Sequence, residues 1–341
     1  MVLAAGAGTR LRPLTYELPK PLVPVVNRPV LHHVLENLRR HSIREVAINL
    51  HAHADRVRKS VGDGSRWGLK VHFSHEPTLL GTAGAVKRMA PFFQGAPFIV
   101  LSGDGISDVD LTDLINFHQS HRSFATMVLK SVDHRFEYGV ALTNAQQRIR
   151  GFMEKPSWGD VFSNTVNTGI YLFEPEVLKL IPSGKTYDFG KQLWPLLLKQ
   201  KRKIYGYSHR GYWCDVGNLM EYRKSQKDAM DGTIRLNLPG TQIRSRIWVD
   251  EGSHIHPQVT LIPPVVIGKH CQIGAKAEIG PYTAVGNHSK ISGRALLKNC
   301  ILFERVQVGR NVHLSNCIIG ENGHVTESVA VYEAAVLNIR Q

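Results

Sequence analysis

The sequence predicts two architectures in one chain: an α/β domain, Rossmann-like, with a mostly parallel sheet and helices on both faces, followed by a parallel β-helix. Three observations predict it. From Val2 to Leu101 short β-rich runs alternate with helical ones, the pattern of strands joined by crossover helices. From Val249 aliphatic residues recur every six positions, a period that neither a helix nor an alternating strand can hold. The chain's 341 residues also exceed what one small core organises, so about two domains are expected.

In the first part, Val2-Leu-Ala-Ala5 reads as a strand ending in glycines. Pro29 to Arg40 reads as a helix, with Leu31, Val34, Leu35 and Leu38 on one stripe. Val46 to Leu50 is a strand, Asp55 to Val61 a helix, and Leu69 to Phe73 another strand. Ala83 to Met89 is helical and Pro97 to Leu101 a buried strand. Asp110, with Asp113 three residues on, caps a helix from Leu111 to Phe117. Open sheets of this kind bind ligands beyond the carboxyl ends of their strands, which selects the residues after Ala5 and after Leu101.

In the second part, Val249, Ile255, Leu261, Ile267, Ile273, Ile279, Val285, Ile291, Leu297 and Phe303 keep a spacing of six. The series resumes one residue early at Val308 and Leu314, and again at Ile319, Val325 and Val331. A coil with three flat sides, each a short strand with one inward aliphatic residue, can keep such a period. The pattern resembles the hexapeptide repeat of left-handed parallel β-helices, with room for about five coils. The expected division is residues 1–232, a linker at 233–246, and the β-helix at 247–341. Asn299-Cys300 recurs as Asn316-Cys317, so these two thiols should stack on neighbouring coils as small apolar core filling.

Composition narrows the class. Hydrophobic residues are 43% and charged residues 21%, ordinary for a globular chain and incompatible with disorder as the main state. No apolar run reaches the roughly 18–20 residues of a membrane span. The 4 cysteines contain no CxxC pair, and a reducing cytoplasm is expected. Net charge is +14, which suits anionic partners. The densest basic run is only Lys199-Gln-Lys-Arg-Lys203, so a polyphosphate substrate or a solvated basic surface is expected, and neither nucleic acid nor membrane.

Directly after the first strand stands Gly6-Ala-Gly8-Thr9-Arg10-Leu-Arg12-Pro13-Leu-Thr15, then Pro19-Lys20-Pro21. Glycines there let the backbone wrap a phosphate and point its N–H groups inward. It is no dinucleotide fingerprint, since Leu11 occupies the third glycine position, and no Walker A loop. Ser183-Gly184-Lys185-Thr186 is a decoy, because Lys179 stands where that loop needs its first glycine. Taken with Thr9-Arg10 and Pro19-Lys20-Pro21, the glycine pair resembles the signature of the sugar-phosphate nucleotidylyltransferases. These enzymes join a nucleoside triphosphate to a sugar 1-phosphate and release pyrophosphate. Gly81-Thr-Ala-Gly-Ala85 is similar to that family's nucleobase-recognising segment, and Ser102-Gly103-Asp104 to its first metal-aspartate motif. Tyr138-Gly139-Val140, Glu154-Lys155-Pro156 and Asn167-Thr168-Gly169-Ile170-Tyr171 resemble the segments holding the sugar and its phosphate. Tyr212-Trp213-Cys214-Asp215-Val216-Gly217 resembles the second metal-aspartate motif. The likeness runs from about Val2 to Asp228, and a β-helix tail is a common appendage in the family.

The resemblance implies site residues. Asp104 and Asp215 would hold Mg²⁺, which prefers oxygen ligands. Arg10 would contact the leaving phosphates in a bidentate way, and Lys20 would neutralise them. Ala5, Gly6, Gly8, Thr9, Gly81, Thr82 and Gly103 would bind the nucleotide. Gly139, Glu154, Lys155, Asn167 and Thr168 would bind the sugar phosphate, Lys155 at its phosphate and Glu154 at its hydroxyls. Read in isolation, Asp104 could merely cap a turn, and Glu154-Lys155 could be a plain ion pair. His51-Ala-His53 and His254-Ile-His256 lack the further ligands a zinc site needs. Two positions depart from the family pattern. Met1 stands where relatives usually have another residue or two before the strand, so an upstream true start is expected. Gly105 replaces a residue with a side chain.

Within the family the likeness is strongest to enzymes that join GTP to mannose 1-phosphate. Glucose 1-phosphate with dTTP, UTP or ATP is the alternative, as is a non-catalytic regulatory or scaffold subunit. Acyl transfer by the β-helix is disfavoured, because the repeat runs unbroken past Asn287-His288 with no extruded loop. Stacked coils expose flat faces and open ends, so a homo-oligomer is expected.

Overall fold

The computed structural model describes residues 1–132, 138–157 and 163–336, so residues 337–341 of the expected β-helix lie outside the described residues. In chain order the elements of the first two-thirds are β1 (Val2–Leu3), β2 (Pro24–Val25), β3 (Arg28–Pro29), α1 (Val30–Arg40), β4 (Glu45–Leu50) and α2 (Ala54–Val61). They continue with β5 (Lys70–His75), α3 (Gly81–Arg88), β6 (Phe98–Ser102), β7 (Gly105–Ser107), α4 (Leu111–Ser120), β8 (Ala125–Ser131) and β9 (Val140–Thr143). Then come β10 (Ile149–Met153), β11 (Thr165–Phe173), α5 (Trp194–Lys199), β12 (Ile204–Ser208), β13 (Trp213–Asp215) and α6 (Leu219–Asp231). The chain divides into two compact units, one of residues 1–7 with 34–215, the other of residues 8–33 with those from 216 onward. Residues 8–33 and 216–232, which the sequence reading joins to the α/β part, thus group with the coil.

In the first unit β5, β4, β1 and β6 are mutually parallel, as the alternation of strands and helices requires. Beyond β6 the sheet is mixed. β11 runs antiparallel to β6, β8 and β9, while β12 runs parallel to β8. The stripe Leu31, Val34, Leu35 and Leu38 on α1 is buried. Asp110 caps α4 by accepting from Asp113 N–H at 2.9 Å, and the helix runs to Ser120, past the expected Phe117. Two short strands stand apart from the sheet. β7 and β13 form an antiparallel ribbon with Gly105 opposite Asp215, Ile106 opposite Cys214 and Ser107 opposite Trp213.

In the second unit the six-residue period becomes three sheets, with seven, five and five strands among the described residues, parallel throughout except for the edge strand Thr241–Arg244, which pairs antiparallel with Ile247–Val249. In-register partners lie eighteen residues apart at first (Ile247↔Val265↔Thr283) and seventeen apart later (Ala284↔Ile301↔Ile318). Those registers correct one position of the sequence series. Leu302, not Phe303, lies under Val285, so the missing residue belongs to the corner at 298–301. Asn299 and Asn316 turn the shortened corners in left-handed backbone, with φ of 52° and 55°. Phe303 leaves the inward row and meets Tyr222 of α6 edge-on, 6.4 Å between ring centroids. Further bonds dock the hairpin and α6 within this unit. Tyr222 Oη and Gln226 Nε2 donate to the Pro24 carbonyl at 2.7 and 2.8 Å, and Val26 N–H donates to Gln226 Oε1 at 2.8 Å. Asn27 Nδ2 donates to the Val285 carbonyl at 2.7 Å and Arg223 to the Asn316 carbonyl at 2.5 Å.

Gly280 has φ of 112°, and a Cβ there would sit on the Ile262 carbonyl oxygen and 2.8 Å from Val265 Cγ2 of the adjoining coil. Gly280→Ala should therefore cost roughly 2–5 kcal/mol from backbone strain plus overpacking. Calorimetry should register it as a fall of several degrees in melting temperature.

Candidate active site

The first unit assembles most of the predicted residues through a chain of short contacts, beginning at the helix that carries Gly81 and Thr82. The first turn of α3 is held by the segment before α5. Ala83 and Gly84 N–H both donate to the Tyr187 carbonyl at 2.9 Å. Asp188 Oδ1 accepts from Thr82 N–H at 3.1 Å and from its hydroxyl at 3.3 Å, and Phe189 N–H donates to the same hydroxyl at 2.9 Å. The N–H groups of Thr82, Ala83 and Gly84 at the helix start are thus taken up by protein. Gly81 has φ of 72°, and its missing Cβ leaves room for the Tyr187 carbonyl oxygen, 2.7 Å from where that atom would stand.

The next link is Glu154, which occupies a slot between two glycines. A Cβ at Gly139 would lie 2.8 Å from Glu154 Oε2, and one at Gly190 would lie 2.5 Å from Glu154 Cδ. Burial pushes the Glu154 carboxyl above the ordinary glutamate range; Lys155 and Lys191 oppose the rise and Asp188 adds to it. Lys155 is exposed, in left-handed backbone at φ 45°. Gly139 accepts from Asn167 N–H at 2.8 Å, which joins the Glu154 slot to the bulge in β11. There Asn167 Oδ1 accepts from Gly169 N–H at 3.0 Å and its Nδ2 donates to Tyr171 Oη at 2.8 Å. The Thr168 hydroxyl is buried and donates to the Val128 carbonyl at 2.9 Å, so its side chain serves the sheet.

The last link reaches the two aspartates. A Cβ at Gly169 would touch Ser102 Cβ at 3.3 Å, and the Ser102 hydroxyl donates to Asp104 Oδ1. Asp104 immediately precedes Gly105, the residue paired with Asp215 across the β7–β13 ribbon. Opposed Cα atoms in such a ribbon are about 4.5–5.5 Å apart, so the two carboxylates, 111 positions apart in sequence, arise from adjacent backbone. Trp213 ties the ribbon to the bulge by donating from Nε1 to the Thr168 carbonyl at 3.1 Å. Gly103 fits because its N–H donates to the Leu3 carbonyl at 2.8 Å, with that oxygen 2.9 Å from the site of a Cβ. Both aspartates are half-buried. Among the described residues no group of three or more His, Cys, Asp or Glu forms a metal-holding cluster. Two carboxylates nonetheless fit Mg²⁺, which keeps several waters and takes its other oxygens from phosphates.

At the end of β1, Ala5 is buried and Gly6 is exposed with open space where a Cβ would lie. Among the described residues nothing crowds a Cβ at position 6, unlike at Gly8. Ala4 N–H donates to Asn49 Oδ1 at 2.8 Å, Asn49 Nδ2 to Glu76 Oε1 at 2.8 Å, and Leu80 N–H to Glu76 Oε2 at 3.0 Å. This buried network fixes the strand end and the approach to α3 together.

The rest of the glycine loop lies in the second unit. Gly8 has φ of 64°, and a Cβ there would meet Lys20 Cβ at 2.9 Å and Thr15 Cγ2 at 3.3 Å. The Thr15 hydroxyl donates to the Gly8 carbonyl at 2.7 Å. Thr9 and Arg10 are exposed on a short 3₁₀ turn, while Lys20 is 8% exposed. Sequence reasoning missed Asp188, Tyr187, Glu76 and Asn49. Asp188 alone carried a signal, as an acceptor-bearing residue just before a helical run. Gly105 proves spacious: a Cβ there would come no closer than 3.7 Å to Cys214 O. Gly105→Ala should raise the melting temperature by about 1–3 °C, since glycine in a strand costs roughly 0.5–1 kcal/mol against alanine, and leave turnover within about two-fold.

Comparison with known proteins gives these observations a context. A family model described as nucleotidyl transferase matches residues 1–232, and one described as GMPPB C-terminal domain matches 261–339. A UTP--glucose-1-phosphate uridylyltransferase of Synechocystis is 32% identical over 94% of this chain and 86% of its own. A mannose-1-phosphate guanylyltransferase of Mycobacterium tuberculosis is 31% identical over 89% and 82%. The mannose-1-phosphate guanylyltransferase catalytic subunit beta of Drosophila pseudoobscura is 32% identical over 99% and 92%. Among solved structures, a Bacillus anthracis protein described as a glucose-1-phosphate thymidylyltransferase, crystallised with sucrose, superposes with a TM-score of 0.63 at 26% identity, covering 69% of this chain and 96% of that one.

Proposed function

Since the chain belongs to the nucleotidyl transferase family and is a sugar-1-phosphate nucleotidylyltransferase, we propose GTP and mannose 1-phosphate as its substrates, with GDP-mannose and pyrophosphate as products. The observation that carries this choice is likeness to mannose-1-phosphate guanylyltransferases through the β-helix as well as the α/β part, reaching 99% of the chain. A second reading, UTP with glucose 1-phosphate, is favoured by the Synechocystis relative.

The reaction forms a bond from a sugar-phosphate oxygen to the α-phosphorus and breaks the bond from that phosphorus to pyrophosphate. The attacking phosphate is already ionised, so no general base is needed, and catalysis is positioning plus charge neutralisation. In this reading Gly81 lies at the base-recognising edge, Thr82 holds that segment through Asp188 and Phe189, and Gly6 gives the triphosphate close approach to backbone. Arg10 and Lys20 neutralise the phosphates, with Arg10 bidentate on the departing pyrophosphate. Glu154 accepts from sugar hydroxyls, and Lys155 neutralises the sugar phosphate. Asp104 and Asp215 hold Mg²⁺, which supplies charge stabilisation to the reacting phosphates. Pyrophosphate release over a matrix of four nucleoside triphosphates and several hexose 1-phosphates tests the assignment. GTP with mannose 1-phosphate should give the highest kcat/KM. A larger value for UTP with glucose 1-phosphate would replace it with the second reading.

A further inference from the structure

We propose that Asp108 and His209 form a clasp that sets the register of the β7–β13 ribbon and thereby the position of Asp215 against Asp104. The inference rests on those two aspartates being the metal-holding pair.

A ribbon of two three-residue strands has little stability of its own in water. Its register matters more than its strength. Side chains alternate along a strand, so a one-residue slip would turn Asp215 to the other face. Ile106 and Cys214, paired across it, are 2% and 3% exposed and favour this register by their burial, and a single apolar pair leaves the ends of the ribbon to be held by other bonds. At the end of the ribbon away from Asp104 the structure holds a bonded loop. Tyr212 N–H donates to Asp108 Oδ1 at 2.6 Å, and Asp108 N–H donates back to the Tyr212 carbonyl at 3.2 Å. His209 Nε2 lies 3.0 Å from Asp108 Oδ1 and 3.0 Å from the Tyr212 carbonyl oxygen. Both neighbours are acceptors, so Nε2 carries a proton and donates to them. The His209 side chain is 7% exposed, and its backbone N–H donates to the Leu129 carbonyl at 2.8 Å, which fastens the loop to the main sheet. Lys130 Nζ closes the far side on the carbonyls of Arg210 and Gly211, at 3.2 and 2.6 Å. Gly211 is required here, since a Cβ would stand 3.0 Å from Asp108 Cγ and 2.7 Å from His209 Cε1. One carboxylate, on the residue just past β7, thus fastens the residue just before β13. The registry it fixes is the one that brings Gly105 opposite Asp215. Asp108 is a positioning residue that acts through Asp215.

The test compares Asp108→Ala, Asp108→Asn and, as a control for plain destabilisation, Asp110→Ala, which removes the cap of α4. Two quantities are read: the Mg²⁺ concentration for half-maximal pyrophosphate release, and Mn²⁺ affinity by electron paramagnetic resonance without substrates. Residues that orient metal ligands typically govern about 10–100-fold in metal affinity. Asp108→Ala should accordingly weaken both metal readouts by about tenfold or more while the KM for the sugar phosphate stays within about threefold. Asp108→Asn keeps an oxygen for the Tyr212 N–H and should recover to within about threefold of the parent. Asp110→Ala should lower the melting temperature and leave both metal readouts within about twofold. A metal response of Asp108→Ala no larger than that of Asp110→Ala overturns the clasp. If the parent turns over no substrate pair, the proposed function fails and the Mn²⁺ comparison alone decides the clasp. A parent whose Mn²⁺ binding is absent, or is indifferent to Asp104→Asn, overturns it as well.

Discussion

Asp104→Asn should lower turnover by about 10²-fold or more and leave the fold intact, the magnitude seen when a preorganised electrostatic group is removed from a catalytic site. The substitution is nearly isosteric. Its remaining oxygen can still accept from the Ser102 hydroxyl, which donates to Asp104 in the present structure. What disappears is the negative charge, and a neutral amide oxygen beside Asp215 halves the charge available to a divalent cation. Melting temperature and circular dichroism should match the parent, while the Mg²⁺ concentration for half-maximal rate should rise. A rate within tenfold of the parent at saturating Mg²⁺ would remove Asp104 from the metal site.

Gly190→Ala should act on the sugar side alone. A Cβ there would collide with the Glu154 carboxylate, 2.5 Å from Cδ and 3.0 Å from Cγ. The obstacle is the end of a flexible side chain, so the carboxylate moves and the backbone stays. We expect KM for the sugar phosphate to rise about tenfold, the loss of roughly one hydrogen bond, with the KM for the nucleoside triphosphate changed less than about threefold. Steady-state kinetics with each substrate varied in turn separate the two. Equal changes in both constants would place Glu154 outside the sugar subsite.

How much of this was legible in the sequence depends on the range of each signal. Local signals read well. The α1 stripe, the Asp110 cap and the six-residue period each report a pattern complete within a few turns of chain. Gly8 stood out in the sequence as part of a loop able to wrap a phosphate, whereas its left-handed backbone against Lys20 and Thr15 is visible only in the structure. Asp188 was not legible, since its partner Thr82 is 106 positions away and neither residue's surroundings announce the other. Phe303 was misplaced for a different reason. An aliphatic and an aromatic residue stand side by side at 302 and 303, and only the strand register tells which points inward. The grouping of the Pro24–Pro29 hairpin with the coil rests on Gln226 and Tyr222, polar contacts some 200 residues away that no periodicity encodes.

The stacked sheets of the second unit carry a consequence for how this chain can change over evolutionary time. Each rung bonds to the rung before and the rung after, with partners seventeen or eighteen residues apart. A single-residue change is absorbed at a corner, as at 298–301, where the strands that follow keep their register, whereas one inside a strand would turn its inward residue toward water. Related proteins should therefore differ within the tail at its corners or by whole rungs, and keep its strands at constant length.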